Sequence, residues 1–531
     1  MALPDGITCI SCTTYTNRHE NFSVNYESER CFNMRMPFGP NDPLRNYQAT
    51  TKNFQWLIGH AIENNISLRA IGNGWSFTDV AMCDGAIVDT LELRAFFKIG
   101  DSFLRDEYLA SGKESSNLIF TQCGMSLQQL HKELEEENGW MRCLKATGAS
   151  NGQTIAGATS TGTHGSAYRV GAVHDTIIGL HIVTGPNRHV WLERASEPVA
   201  SEEFIQWLGA EKIADDDVFN AAVVSFGSFG FIHGMLIETE PIFLLKRFST
   251  PKIPYDAAVK LAINQLDFSG VQKFLPMEVD GPEGQLYHFD IMVDPHHFKE
   301  NDPTNGIYLK SMFKIPYKPG YTKPVTSTKK FQYGDDLLGI VQTVLDTLGR
   351  RFQQKLVPKL VSNLLPLAYA ADEGSTGTIG EIFTNTKIRG KAASAAVAFS
   401  VEHSSDVIEE IVAINQRLPF AGAICMRFVK GSKALLGFTK FTVSCVLEMD
   451  GVESKSSRAF FEAVWNRLEE LNIPYTVHWG KINFHLNKER VRAMYGEDVI
   501  NKWIACRHRV LDDASRKVFE NPFMRRIGLE S

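Results

Sequence analysis

The chain has 531 residues, which is too long for one compact core and predicts two or three domains. Its residues are 44% apolar and 22% charged, and its net charge of −6 comes without a basic block, which excludes an evident nucleic-acid partner. No window approaches the about 18 consecutive apolar residues of a transmembrane helix, and the N-terminus lacks the basic and apolar regions of a secretory signal.

The nine cysteines are odd in number and scattered along the chain. This pattern favours reduced thiols in a cytoplasmic protein over a disulfide framework. Cys9 and Cys12 form one CxxC pair, but there is no second pair, so we favour two separate thiols over zinc binding and predict no metal site.

The elements along the chain predict an α+β protein. Residues 1–44 are irregular and rich in Asn and Pro, as expected of an N-terminal arm. Residues 45–245 begin with a helix whose apolar positions share one face and continue with short strands such as "SLRAIG", "GAIVDT" and "NLIFTQ", which indicates a mixed domain. Residues 246–480 show strands, a lysine-bearing loop, two helical stretches inside 334–371 and then, from about residue 395, strands that alternate with one helix. The charged segment 481–531 closes the chain.

Two glycine-containing stretches stand out as candidate cofactor loops. "IGNGWSF", Ile71–Phe77, follows a short apolar run and reads as a tight turn with two glycines. Residues 144–170 are dense in Gly, Ala, Ser and Thr, with almost no large apolar side chain before Tyr168. Amides and hydroxyls together suit a pyrophosphate, and such a segment forms little core of its own unless a ligand fills the space. The spacing is not the GxGxxG of a Rossmann fold.

At this point the chain resembles the vanillyl-alcohol-oxidase family of FAD flavoproteins. The resemblance is carried by "LRAIGNGWSF", "ATGASNGQTIAGATSTGTHGS", "SFGSFGFIHGMLIETEP" and "VHWGKIN". It is strongest to the aldonolactone and alditol oxidase branch, which also takes in the second class of cholesterol oxidases. The resemblance implies a PCMH-type FAD-binding domain of two subdomains, an α+β cap domain with an antiparallel sheet over the isoalloxazine, and a C-terminal segment that returns to the FAD-binding domain.

The resemblance also implies which residues hold FAD. The first loop would surround the pyrophosphate, the second segment would line the cofactor, and Ile232 would meet it through its backbone. The implied cofactor-binding residues are Ile71, Gly72, Asn73, Gly74, Trp75, Ser76, Gly148, Gly152, Gln153, Thr154, Gly157, Ala158, Ser160, Thr161, Thr163, His164, Gly165 and Ile232.

The chain departs from the family at two positions. Where relatives place the histidine that bonds covalently to the flavin, this chain has Trp75, whose indole nitrogen is a donor only. We therefore expect non-covalent FAD, with Trp75 packing beside the flavin. Where relatives carry a Glu-x-Arg pair on a cap strand, this chain reads Cys425-x-Arg427. The arginine is kept and the glutamate is lost, which puts sugar and lactone oxidation in question.

Alcohol oxidation by a flavin requires a base for the hydroxyl proton and a cation near the flavin that stabilises its reduced form. The candidates are Arg427, His478 and Lys481 of the "HWGK" motif, and Cys425. Glu402 is the carboxylate nominated to replace the missing glutamate, with His403 and Glu448 as alternatives.

These features predict an FAD-dependent oxidoreductase that oxidises a hydroxyl-bearing small molecule by hydride transfer to flavin N5, with oxygen or another electron acceptor. Two alternatives stay open: a biosynthetic flavoenzyme acting on an amine or a natural-product intermediate, and a flavin-binding protein without turnover. The segment 310–333 carries six lysines with interleaved aromatic residues and no acidic residue. A solvated loop is the simpler interpretation of this segment, and a cap loop in peripheral contact with a membrane is the alternative.

Overall fold

The structure is a computed structural model that describes residues 3–27, 29–39, 41–136, 140–318, 320–322, 341, 357–384 and 391–530. Its N-terminal part forms a four-stranded sheet and a separate hairpin. In chain order the elements are β1 Ile7–Cys9, β2 Thr14–Thr16, β3 Ser23–Asn25, β4 Cys31–Met34, α1 Pro43–Glu63, β5 Leu68–Ile71 and β6 Ala86–Asp89.

The first sheet has the strand order β1–β4–β6–β5, with β6 parallel to both β4 and β5. The expectation of an irregular arm over residues 1–44 is therefore wrong. Cys31, Phe32 and Met34 of β4 are buried, so this short strand is held by its apolar side chains. Strands β2 and β3 pair as a hairpin beside the sheet.

A seven-stranded sheet follows, in the order β12–β11–β10–β13–β8–β7 with β9 paired to β13. Its elements are β7 Phe96–Lys98, α2 Asp106–Ala110, β8 Leu118–Gln122, α3 Leu127–Glu135, β9 Arg142–Leu144, α4 Ile155–Thr161, β10 Ile177–Gly185, β11 Arg188–Glu193, α5 Glu202–Leu208, β12 Glu211–Ala214, α6 Asp216–Ala222 and β13 Phe231–Pro241. Strand β10 is central and almost entirely buried, as its apolar sequence predicts.

The next strand starts a third sheet, antiparallel throughout, in the order β18–β14–β17–β16–β20–β21–β19–β22 with β15 paired to β16. Its elements are β14 Phe243–Ile253, α7 Ala257–Gln265, β15 Asp280–Gly281, β16 Gly284–Val293, β17 Ile307–Pro316, α8 Val357–Ala368, β18 Asp372–Gly377, α9 Ile379–Ile382, β19 Ala392–Ser400, α10 Ser404–Arg417, β20 Gly422–Lys430, β21 Val443–Val452, α11 Lys455–Glu470 and β22 Tyr475–Val477. The predicted α+β class is confirmed.

Of the four C-terminal helices, the first contacts β22 of the third sheet, and the other three pack on elements of the first two sheets. The four helices are α12 Lys488–Tyr495, α13 Glu497–Val510, α14 Asp513–Val518 and α15 Pro522–Ile527. Trp503 of α13 is fully buried and donates to the carbonyl of Ala221. Asn521, just before α15, donates to the carbonyls of Val80 and Met82. One apolar core therefore connects the chain's last helices to its first sheets.

The structure changes the expectations for the cysteines and for the lysine-bearing segment. Cys12 and Cys31 form a disulfide, so the expectation of reduced thiols is wrong for this pair, while Cys9 is free. In the lysine-bearing segment, Lys310 lies buried in β17 and Lys314 pairs with Glu240. Residues 323–333 of that segment, and most of the helical stretches expected inside 334–371, lie outside the described residues.

Candidate active site

The loop after β5 forms one wall of a deep cavity. Residues 72–76 all line it, and Gly74 has φ +67°, which a side chain would make costly. A Cβ at Gly74 would also lie 2.7 Å from the Tyr15 hydroxyl. Among the described residues, none accepts a hydrogen bond from the amides of residues 73–76. The loop therefore offers unpaired donors to an anion.

The Gly- and Thr-rich segment forms the facing wall. Thr154 caps α4, accepting from the amide of Gly157 at 3.3 Å. Gln153 lines the cavity, and its buried Oε1 has no hydrogen-bond partner among the described residues. A Cβ at Gly72 would lie 2.5 Å from Thr154 Oγ1, so the two walls can approach this closely only because residue 72 is glycine.

Most of the residues implied for FAD binding face this cavity, and three do not. Those that line it are Ile71, Gly72, Asn73, Gly74, Trp75, Ser76, Gly148, Gln153, Thr154, Gly157, Ser160, Thr161, Thr163, His164 and Ile232. Ala158 is instead buried within α4, and Gly165 packs against the carbonyl of Thr147. Gly152 supports the loop indirectly, because its missing side chain makes room for Trp75.

The Trp75 ring packs closely against neighbouring residues. Its ring lies where a Cβ at Gly152 would stand, 2.2 Å from Cζ2. The Arg18 guanidinium lies 5.2 Å from the ring centroid, and His19 meets the ring edge-on at 5.7 Å. The side chain is 8% exposed and its Nε1 has no hydrogen-bond partner among the described residues. Trp75 is therefore a packed wall of the cavity with one buried donor to spare.

A buried carboxylate lies at the opposite end of the cavity between two cations. Glu448 of β21 is 2% exposed; its Oε2 lies 2.7 Å from Arg427 Nη1, and its Oε1 lies 2.7 Å from Lys481 Nζ. Asp450, two residues on along the same strand face, lies 3.7 Å from Lys481 Nζ. All four side chains line the cavity.

The charges in this cluster stabilise one another. Burial alone would raise the pKa of the Glu448 carboxyl, but Arg427 and Lys481 lower that pKa well below its ordinary value. Burial lowers the pKa of the Lys481 ammonium, yet Asp450 and Glu448 outweigh it and raise that pKa. Glu448 is therefore ionised and Lys481 protonated at neutral pH.

Two buried histidines next to this cluster have complementary hydrogen bonds. His164 Nδ1 lies 2.9 Å from the carbonyl of Gly165 and must donate, so the neutral ring keeps its lone pair on Nε2, 3.5 Å from Glu448 Oε1. His478 Nδ1 accepts from the amide of Gly480 at 3.0 Å, so its Nε2 carries the proton. Burial lowers the pKa of His164 to about 4 and that of His478 well below its ordinary value. The site thus holds one neutral acceptor and one neutral donor.

The sequence candidates are only partly brought together. Arg427, His478 and Lys481 meet in the cavity, whereas Glu402 has a 70% exposed side chain whose partner is the adjacent His403. Its nomination as the replacement carboxylate is wrong, because the turn before α10 faces solvent. Cys425 is buried and does not line the cavity, and burial raises the pKa of its thiol well above the ordinary value.

Several residues that line the cavity are not among those expected from the sequence. Tyr15 and Phe22, from the β2–β3 hairpin, line the cavity although the N-terminus read as an arm. Phe226, in the "SFGSFG" segment, has φ +56° and lines it as well. Among the described residues there is no group of three His, Cys, Asp or Glu side chains arranged for a metal ion. In the same part of the chain, no helix has the length and apolarity needed to cross a bilayer.

The cavity fits FAD by its chemistry. It offers unpaired amides at one end and a buried, charged end with neutral histidines at the other, joined by a wall of glycines and small hydroxyl side chains. This combination suits a ligand with an anionic centre and a flat, polar ring.

Comparison with known proteins agrees with this chemistry. The FAD binding domain family matches residues 48–193. L-gulono-1,4-lactone dehydrogenase of Mycobacterium tuberculosis is 24% identical over 478 residues, 89% of this chain and 92% of that protein. D-arabinono-1,4-lactone oxidase of Candida glabrata is 34% identical over 128 residues, 24% of this chain and 20% of that protein. Cholesterol oxidase from B. sterolicum has the same fold, with a TM-score of 0.67 at 14% identity over 99% of this chain and 98% of that chain.

Proposed function

Since the chain is a vanillyl-alcohol-oxidase-type FAD flavoprotein of the aldonolactone oxidase branch, we propose that it oxidises a neutral, hydroxyl-bearing small molecule with non-covalently bound FAD. The observation that carries the proposal is the cluster in which Glu448 lies between Arg427 and Lys481, beside the neutral His164. Both cations already face a carboxylate, so the site suits a neutral hydroxyl better than a substrate anion.

We assign the FAD-binding role to residues 45–245, with residues 246–480 as the cap and 481–531 returning to the FAD-binding domain. Ile71–Ser76 and the segment around Thr154 would hold the cofactor through backbone amides and hydroxyls. When bound, FAD supplies the two-electron acceptor for the substrate's hydride. Trp75 contributes packing and one buried N–H. It forms no covalent bond to the flavin, because an indole nitrogen has no basic lone pair for such a bond.

In this proposal His164 accepts the hydroxyl proton at Nε2, where the hydrogen bond from Nδ1 to Gly165 leaves the lone pair. The resulting imidazolium is stabilised by the Glu448 carboxylate 3.5 Å away. His478 donates from Nε2 and orients a substrate oxygen. Arg427 and Lys481 stabilise negative charge that develops in the cavity during the reaction.

Anaerobic bleaching of the flavin absorbance tests the proposal. The compounds tested are neutral polyols, lactones and sterols, each compared with acids and amines of similar size. Reduction by a neutral hydroxyl compound supports it. Reduction by an amine alone, or by no compound while FAD stays bound, contradicts it and favours the amine-oxidising or the non-catalytic alternative. Reoxidation of the bleached flavin in air then separates oxygen from another electron acceptor.

We further propose a cytoplasmic location, supported by seven free cysteines among the described residues. The Cys12–Cys31 disulfide argues the other way, and fractionation of cells into cytosol, membrane and secreted material decides between them. Peripheral membrane contact through the lysine-bearing segment would place the protein in the membrane fraction at low salt and release it at high salt.

A further inference from the structure

The N-terminal clasp, defined as residues 12–26, donates hydrogen bonds to consecutive backbone carbonyls of the cofactor loop. Residues 17–21 supply donors to five successive carbonyl oxygens, those of residues 73–77. The contacts are Arg18 Nε to Asn73 O (3.4 Å), Arg18 N to Gly74 O (2.9 Å), His19 Nε2 to Trp75 O (3.1 Å), Asn17 Nδ2 to Ser76 O (3.0 Å) and Asn21 Nδ2 to Phe77 O (2.8 Å).

This arrangement decides where the loop's amides point. In a trans peptide the C=O of one residue and the N–H of the next point in opposite directions. Because the carbonyls of residues 73–75 face the N-terminal clasp, the amides of residues 74–76 face away from it. These amides are among those that have no acceptor among the described residues, and their residues line the cavity. The clasp therefore orients the loop's donors toward the ligand.

Aromatic contacts and a covalent bond reinforce the clasp. His19 stacks on Phe77 with ring centroids 3.8 Å apart and planes at 8°. Burial lowers the pKa of His19 to about 3, so the ring stays neutral and its single N–H serves the carbonyl of Trp75. The disulfide between Cys12 and Cys31 joins the start of the clasp to β4. The clasp is thus covalently linked to β4 and packs against the cofactor loop.

We propose that the N-terminal clasp is a positioning element of the cofactor site, which retains FAD in this chain in place of a covalent bond. The inference rests on the non-covalent binding proposed above. A histidine tether holds a flavin whatever the loop does, whereas an untethered flavin depends on the orientation of the loop's amides. Asn17, His19 and Asn21 fix that orientation without belonging to the loop.

The test compares FAD release from wild type, Asn17→Ala/Asn21→Ala and the matched control Thr16→Ala/Ser23→Ala. The control removes an exposed hydrogen bond within the same hairpin, between Thr16 Oγ1 and Ser23 Oγ, that does not touch the loop. Release is followed on dilution by recovery of free-flavin fluorescence. We expect the asparagine variant to release FAD about tenfold faster than wild type, since two loop hydrogen bonds are lost, and the control to match wild type.

A second variant, Cys12→Ala/Cys31→Ala, frees the clasp without touching its donors and should also release FAD faster. It decides the question if the asparagine variant does not fold, as judged by circular dichroism of the FAD-free protein. Release at the wild-type rate from every folded clasp variant overturns the proposal. A yellow pellet after acid precipitation of wild type overturns the non-covalent premise instead, so the two failures are distinguishable.

Discussion

Glu448 lies directly opposite Cys425 across the β20–β21 ladder. Residues that face each other in an antiparallel pair share one face of the sheet. The same carboxylate lies 2.7 Å from Arg427, two residues beyond Cys425 on β20. The carboxylate that the family resemblance leads one to expect at position 425 is thus supplied from the neighbouring strand. Loss of the glutamate from the Glu-x-Arg pair does not remove a carboxylate from the site.

Replacing Glu448 by Gln should slow substrate-driven flavin reduction on the order of 100-fold, because two buried cations lose their counter-charge and the imidazolium of His164 loses its stabilising partner. Stopped-flow bleaching at saturating substrate measures this. Glu402→Gln is the matched control and should stay within about twofold of wild type, as expected for an exposed surface charge. Equal losses in the two variants would contradict the assignment of Glu448.

The pH profile of flavin reduction should report His164. A base must be neutral to accept a proton, and burial lowers the pKa of His164 to about 4. The rate constant should therefore be constant from neutral pH down to about 5 and fall as the pH passes through about 4. His164→Gln should lower the plateau and abolish this limb. A limb near the ordinary histidine value of about 6.5 would argue against His164 as the proton acceptor.

Non-covalent attachment makes a direct prediction. Acid precipitation of the holoprotein should leave the yellow colour in the supernatant, because Trp75 replaces the histidine that would form the bond. A denaturing gel viewed under ultraviolet light should show no fluorescent band at the mass of the chain. A fluorescent band that survives denaturation would mean that another side chain forms the bond.

Gly152→Ala should expel Trp75 from its place on the cavity wall. The added Cβ would stand 2.2 Å from the indole ring, so the mutation should cost about 1–3 kcal/mol of unfolding free energy and lower the FAD content. Gly100→Ala, where the new methyl meets nothing within 4 Å, is the control. Adding Trp75→Leu to Gly152→Ala should recover stability. Failure of this rescue would show that the damage has another source.

Much of the fold could be predicted from the sequence because strand and helix periodicity is local. The runs that became β5, β6, β8 and β10 are mostly apolar, and α3 carries its leucines on one face. The strands of the N-terminal residues escape prediction because β1 and β4 are only three and four residues long. Strands this short are stabilised by partners far along the chain, which no local window contains.

The parts of the site that lie in contiguous motifs could be predicted from the sequence. The contacts that strand pairing creates between distant residues could not. The two glycine segments and "HWGK" are each read within one stretch. Glu448 could only be guessed, because its partners Arg427 and Lys481 lie 21 and 33 residues away in sequence and register alone brings them together. Glu402 is a carboxylate of the same kind in the sequence, but its turn faces solvent, which no local pattern indicates. The cavity residues Tyr15 and Phe22 depend on the placement of a hairpin.

The buried His181, which contacts the half-buried His189, should make the protein sensitive to mild acid. The Tyr47 hydroxyl lies 2.6 Å from His181 Nδ1, and His181 Nε2 lies 2.8 Å from His189 Nδ1. Burial lowers the pKa of His181 well below its ordinary value. A histidine whose pKa is lower in the folded state binds its proton in the unfolded chain first, so its contribution to stability is complete above about pH 6.5 and is lost as the pH falls.

For this single group the loss amounts to about 1.4 kcal/mol per pH unit below pH 6.5. Thermal unfolding of wild type and His181→Gln between pH 7 and pH 4.5 measures it. Glutamine keeps a polar partner for the Tyr47 hydroxyl but does not titrate. The variant's unfolding free energy should therefore fall less steeply with decreasing pH, with a slope that corresponds to the uptake of about one proton fewer on unfolding. Parallel slopes in the two proteins would mean that His181 takes up no proton on unfolding, and that the acid sensitivity arises at other buried histidines such as His233, where burial lowers the pKa to about 3.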